Sequence, residues 1–172
     1  LSLASDAAEL IEGGSEIIIV TSGAVGMGRN SLKLGSGKLK LEEKQAAAAC
    51  GQIALAVAYR DAFGKFSRNV AQVLLTPEDT ENRRRHLNAR STIETLLRGG
   101  VIPVINENDT VATDELRFGD NDRLAARVAQ MVSADLLIIL SDVEGLYTAN
   151  PATNKTAKLI ERVEEITPEI EK

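Results

Sequence analysis

The chain has no tryptophan, and three phenylalanines and two tyrosines are its whole aromatic content. Base-stacking platforms for single-stranded nucleic acid need aromatic faces, so that class of binding lacks its raw material. A net charge of −5 and a pI of about 5.0 point the same way, and no nucleic acid partner is expected. One cysteine, Cys50, forms no internal disulfide and fits a reducing compartment. One histidine, His86, leaves no His/Cys spacing for zinc and no Ser-His-Asp set. No apolar run approaches the ~18 residues of a membrane span. No signal-peptide pattern opens the chain. A cytoplasmic protein without a membrane partner is expected.

What is present is ordinary for a globular protein: 172 residues, 44% hydrophobic and 26% charged. That suffices for one domain with a real core over residues 1–172. No repeat, low-complexity segment or linker is evident. The charge is uneven, +1 over residues 1–75 (8 basic, 7 acidic) and −6 over residues 76–172 (12 basic, 18 acidic). Much of the acidic excess lies in Asn106–Asp122, NENDTVATDELRFGDND, where six carboxylates accompany one arginine. Such groups at the ends of buried elements cost stability unless well satisfied. They are also the groups that hold a polar substrate or a metal-bound phosphate.

Helix-like and strand-like segments alternate along the chain. Leu3–Ile11 reads as the end of a helix closed by Gly13-Gly14. Glu16–Thr21, EIIIVT, reads as a strand. Glu42–Phe63 is Ala-rich and apolar at helical spacing, interrupted by Gly51 and Gln52. Val70–Leu75 is a second strand, and Glu81–Arg98 a helix stopped by Gly99-Gly100. Val101–Ile105, VIPVI, is a third strand, against which Pro103 counts because it removes a ladder donor. Asp122–Val132 is a helix with Leu124, Val128, Met131 and Val132 on one face. Leu136–Leu140, LLIIL, is the cleanest buried strand. Continuous apolar runs imply strands covered on both faces, hence a parallel sheet. Helices between them give right-handed βαβ units. The expected fold is α/β, a three-layer αβα sandwich with a mainly parallel sheet.

Ligands of open α/β sheets bind outside the C-terminal strand ends. Three expected strands end in polar or glycine-rich sequence: Thr21–Gly28 (TSGAVGMG), Asn106–Asp109 (NEND) and Ser141–Gly145 (SDVEG). If parallel, all three converge on one edge. TSGAVGMG offers small residues and backbone N–H groups for a carboxylate or phosphate, or is a glycine-rich turn. It is neither a G-x-G-x-x-G nor a G-x-x-x-x-G-K-[ST] loop. NEND suits a zwitterionic ligand, or is an Asx-rich turn. GDND, 119–122, opens a helix, either as a cap alone or with one residue capping while Asn121 or Asp122 faces the crevice. A carboxylate there suits a lysine or Mg²⁺. Ser141-Asp142 suits a nucleotide contact, or is a turn. His86 reads as a surface residue, Arg83–Arg85 as a solvated face, and Cys50 as a small core residue.

At these residues the chain resembles the amino acid kinase family, and within it the kinases that phosphorylate glutamate. The matching segments are IVTSGAVGMGR, AAACGQ, LLT, LNAR, VIPVINENDTVAT, GDNDRLAARVA and LLIILSDVEGLYTANP. They occur in the family's order over nearly all of residues 17–152. The resemblance implies transfer of the ATP γ-phosphoryl group to the side-chain carboxylate of L-glutamate, with Mg²⁺, in the first step of proline synthesis. It implies that Ser22, Asp109 and Asn121 bind glutamate and that Asp122 organises the phosphate-binding lysines. Ser141 and Asp142 would lie at the nucleotide, the first being often Thr in the family. Feedback inhibition by proline and homo-oligomerisation are family traits. Another family member, acting on aspartate, N-acetylglutamate, carbamate or UMP, and a non-catalytic amino-acid-binding module are the alternatives. The family's K-x-G-[ST] and G-M-x-[ST]-K lysine motifs do not occur in residues 1–172, and Lys33, Lys38 and Lys40 fall in an expected loop. The expectation is an incomplete view of a larger kinase, inactive as residues 1–172 alone.

Overall fold

Val, Ile and Leu runs with few polar interruptions build a parallel sheet, as their continuous apolar character requires. The computed structural model describes residues 2–111, 121–141, 143–168 and 170. They fall into two compact units, Leu1–Leu137 and Ile138–Lys172. The sheet belongs to the first. Its described strands are β1 (Ile19–Val20), β2 (Asn69–Leu75) and β3 (Val101–Glu107), in the order β1-β3-β2. All are parallel, with Ile19 opposite Val104, and Asn69 to Leu75 opposite Val101 to Glu107. Pro103 sits inside the central strand. On the β1 side the ladder starts only at Val104, so a missing N–H one residue earlier is tolerated.

Helices cover both faces. On one, α1 (Ser2–Glu12) and α3 (Leu41–Gly64) bring Ala4, Ala7 and Phe63 against Ile19, Ile102 and Val104. On the other, α5 (Arg83–Arg98) and α6 (Asn121–Val132) bring Ile93, Leu124, Val128 and Met131 against Leu75 and Ile105. Alternate residues of β3 thus serve opposite cores, as strand geometry dictates. This is the expected three-layer αβα arrangement. Leu124, Val128 and Met131 are buried, as their helical spacing predicts, and Val132 packs beside them.

Three elements differ from the sequence reading. TSGAVGMG is not only a turn: α2 (Ala24–Ser31) begins in it, with Gly23 as N-cap in the left-handed region at φ 98°. Gly51 and Gln52 do not interrupt α3, and both are buried within it. A Cβ at Gly28 of α2 would collide with the Ala47 carbonyl, and one at Gly51 with the Ala24 carbonyl. The glycines are there to let two backbones touch. The helix expected over Glu81–Arg98 starts two residues later, as α5, and a separate short helix, α4 (Pro77–Glu81), precedes it. The break falls at Asn82, whose side-chain oxygen accepts from the Arg84 and Arg85 N–H groups and caps α5.

The largest correction is LLIIL. Leu136–Leu140 forms no strand, and its side chains are exposed, from 40% at Leu137 to 74% at Leu136. A strand is a pairing and not a property of apolar sequence, and no described edge pairs with this segment. Cys50, expected in the core, is half-buried.

The second unit is largely irregular. An antiparallel bridge joins Tyr147 to Leu159, with Thr148 N–H donating to the Lys158 carbonyl at 2.9 Å and Ile160 N–H to the Leu146 carbonyl at 2.8 Å. The Asn150 and Asn154 side chains accept from the N–H groups of Ala152 and Thr156, fixing two Asx turns. No described helix is long and apolar enough to cross a membrane.

Candidate functional site

Parallel strands bring their C-terminal ends to one edge, and here main-chain bonds stitch those ends together. Thr21 N–H, just past β1, donates to the Ile105 carbonyl of β3 at 2.9 Å. Asn108 N–H, just past β3, donates to the Leu75 carbonyl of β2 at 2.7 Å. Thr21-Ser22-Gly23 and Asn106–Asp109 therefore share an edge, as expected. The third strand end at this edge is that of β2, which runs into Thr76–Asp79. Ser141–Gly145 belongs to the other compact unit.

Asn121, the first residue of α6, locks the two expected segments. Its Nδ2 donates to the Thr21 carbonyl at 2.5 Å and to Asn106 Oδ1 at 3.0 Å. Asn106 Oδ1 also accepts from the Glu107 N–H at 2.8 Å. Asn106 is 2% exposed and Glu107 6% exposed, so both polar side chains lie in the interior at the strand end. Burial there is costly unless the groups are bonded, and the Asn106 oxygen is bonded twice. Its Nδ2 has no partner among the described residues.

Of the expected site residues, Ser22 is exposed directly before the α2 N-cap, and Asp109 is half-buried in the turn after β3. The Gly23 N-cap gives no side-chain oxygen, so the first N–H groups of α2 lack the usual cap. Uncapped N–H groups at a helix start favour an anion. Asp122 lies in the first turn of α6, exposed, where a carboxylate suits the helix dipole. Ser141 is exposed in the second unit, and its Oγ accepts weakly from the Val143 N–H at 3.4 Å. Asp142 lies outside the described residues, as do 112–120.

Three groups at this edge were not singled out from sequence as site residues. Asn106 is the buried hub. Thr21 presents its carbonyl to Asn121, while its Oγ1 accepts from the Tyr59 hydroxyl of α3 at 2.9 Å. Gln52 of α3, 6% exposed, accepts through Oε1 from Gln72 Nε2 of β2 at 2.8 Å. Thr21, Gln52, Tyr59, Gln72, Val104 and Asn106 line a cavity of about 220 Å³ on the α3 side of the sheet. One signal was available: Asn106 continues the inward alternation of Ile102 and Val104, so its side chain had to be buried.

At the end of β2, Thr76 and Asp79 cap α4. Asp79 Oδ2 accepts from Thr76 N–H and Oγ1, both at 2.7 Å, and Oδ1 accepts from Arg85 Nε at 2.7 Å. Partial burial pushes the Asp79 carboxyl up, but the Thr76 and Arg85 hydrogen bonds outweigh it, and the net shift is downward. Arg85 also reaches Glu78 at 2.8 Å. Arg85 is therefore an exposed, ion-paired clamp between α4 and α5, and Arg83–Arg85 are all exposed, as their reading as a solvated face expects. His86, expected at the surface, is half-buried with Nδ1 3.2 Å from the Thr80 carbonyl. The Arg29 guanidinium holds the expected lysine loop, donating to the Gly35 and Gly37 carbonyls at 2.7 and 2.8 Å.

A three-layer αβα fold with a parallel sheet, whose strand ends gather an uncapped helix start and buried amides, defines an α/β protein with an edge suited to small polar or anionic ligands. The family model for the amino acid kinase family matches residues 1–170, and the chain belongs to that family. It is similar to glutamate 5-kinase 1 of Mesorhizobium japonicum, 62% identical over 170 residues, which is 99% of this chain and 45% of that protein. It is likewise similar to the glutamate 5-kinase of Rhodospirillum rubrum, 62% identical over 169 residues, 98% of this chain and 45% of that protein. The glutamate 5-kinase of Paramagnetospirillum magneticum is 63% identical over 170 residues, 99% of this chain and 46% of that protein. The chain thus spans under half the length of the curated relatives it matches.

Proposed function

We propose that the full-length protein transfers the γ-phosphoryl group of ATP to the side-chain carboxylate of L-glutamate, giving L-glutamyl 5-phosphate in the first step of proline synthesis. The observation that carries this reading is the Asn121 lock, which draws Thr21-Ser22-Gly23, Asn106–Asp109 and the start of α6 into one crevice. The name shared by the similar proteins supports it. Residues 1–172 form, on this reading, part of one kinase domain. Ser22, Asp109 and Asn121 hold glutamate, and Ser141 and Asp142 serve the nucleotide.

Phosphoryl transfer asks the protein for position and charge compensation more than for covalent chemistry. The acceptor carboxylate and the triphosphate repel each other. Uncapped N–H groups at the start of α2 suit one of these anions. Asp122 is the carboxylate assigned to orient phosphate-binding lysines or to hold Mg²⁺. Mg²⁺ is commonly bound by one or two carboxylates plus substrate phosphates, and a single exposed carboxylate fits that habit. When bound, Mg²⁺ supplies neutralisation of phosphate charge. Asp109 supplies an acceptor for the ammonium of glutamate and Ser22 a hydroxyl for a carboxylate.

Proline as feedback inhibitor, a homo-oligomeric assembly and a cytoplasmic setting belong to the same reading. The test is coupled ADP release by the full-length protein with glutamate, aspartate, N-acetylglutamate, carbamate and UMP. Turnover with glutamate alone, inhibited by proline, is the expected result. Preference for another acceptor would move the protein to another branch of the family. Amino acid binding without nucleotide binding would make it a non-catalytic module.

A further inference from the structure

The polarity of the Asn121 lock is set by the main chain, and this decides which end of Asn121 meets a ligand. The Thr21 carbonyl has only lone pairs to offer, so the atom facing it at 2.5 Å must be the Asn121 nitrogen. The Glu107 N–H offers only a proton, so the atom facing it at 2.8 Å must be the Asn106 oxygen. That oxygen then takes the second Asn121 proton at 3.0 Å. Neither amide can flip without setting two donors or two acceptors against each other. Both protons of Asn121 Nδ2 are thereby committed to protein, and the carboxamide has only Oδ1 left to give.

We propose that Asn106 is the positioning residue for Asn121, holding it so that its carboxamide oxygen faces the crevice and receives an N–H donor of the ligand. The recognised group is then an ammonium and not a carboxylate. This deepens the glutamate reading and rests on it: Asn121 takes the α-ammonium end of the amino acid. Asn106 does this from the interior and touches no ligand through its oxygen.

The test compares L-glutamate with glutarate, which keeps both carboxylates and lacks the ammonium, in the full-length protein and two variants. The unaltered protein should prefer glutamate by roughly tenfold or more. Asn106→Leu frees Asn121 to rotate. It should raise the KM for glutamate roughly tenfold, leave the KM for ATP unchanged and shrink the preference over glutarate. Asn106→Asp, whose oxygens still accept from Asn121 and Glu107, should keep most of the preference. An unchanged preference in a folded Asn106→Leu protein overturns the proposal. So does an Asn106→Asp protein that folds and loses the preference as completely. Side-chain amide NMR of the unaltered chain reads the lock without any amino acid or variant. Both Asn121 Nδ2 protons should exchange slowly, and fast exchange of either overturns the proposal. Slow exchange in a protein that binds neither compound sinks the glutamate reading and leaves the orientation standing.

Discussion

Gly28 and Gly51 face each other where α2 crosses α3, each too close to the other helix's backbone to carry a side chain. The crossing fixes the helix that begins directly after Ser22-Gly23, so it fixes the candidate anion site as well. An added methyl here meets main-chain carbonyls, which do not yield as a flexible side chain would. Gly51→Ala should therefore cost about 1–3 kcal/mol, the usual range for overpacking. Thermal melting should fall by roughly 2–4 °C per kcal/mol for a chain of this size. Gly26→Ala is the control, since a Cβ there meets nothing within 4 Å. It lies in α2, the helix that crosses α3 at Gly51, and should be neutral or slightly stabilising. Equal losses from the two substitutions would mean that the crossing is looser than described.

The same pair shows what sequence can and cannot express. Helical periodicity located α3, yet Gly51 and Gln52 read as an interruption because a lone glycine weakens a helix. Only the facing helix explains the glycine, and that contact lies 23 residues away in sequence, between positions 28 and 51. Strand position and parallel direction were legible because apolar runs are local. The strand-end crevice followed from topology. What escaped was the role of Asn106, set by which strands lie next to each other. LLIIL failed for the converse reason. Its local signal was the strongest in the chain, and no described strand pairs with it.

Hydrogen exchange checks that last point directly. Amides of Val101–Glu107 lie in a paired central strand and should be strongly protected. Amides of 136–140 have no strand partner among the described residues and sit in an exposed segment. They should exchange in this chain nearly as fast as an irregular segment does. Protection at 136–140 matching that at 101–107 would restore the strand that the apolar run suggests.

Tyr59→Phe tests how α3 supports the strand-end loop. The hydroxyl donates to Thr21 Oγ1 at 2.9 Å in a half-buried setting. Its ring stacks on Phe63 with centroids 6.5 Å apart, and this stacking survives the substitution. The loss should be about 0.5–1.5 kcal/mol in denaturant titrations, the net worth of one such bond. Thr21→Val removes the same bond from the other side. Because both variants delete one shared interaction, the double variant should cost less than their sum. Strict additivity would show that the bond contributes nothing.

Acid stability should carry the mark of Asp79. Its carboxyl titrates below the ordinary 3.8 in the folded chain, because hydrogen bonds from Thr76 and Arg85 outweigh the desolvation of partial burial. The unfolded chain holds its proton more tightly, so protonation favours unfolding. The contribution is fully present above about pH 4, near the unfolded value. It declines as the pH falls through the lowered folded value. Asp79→Asn keeps an acceptor for Thr76 but has no charge for Arg85 and no proton to take up. The variant should be less stable near neutrality, and its stability should fall less steeply below about pH 4. Urea titrations of both proteins between pH 7 and pH 3 measure the two slopes. Parallel curves across that range would mean that Asp79 is not held below its ordinary value, and that the capping of α4 by Thr76 and Asp79 works through geometry alone.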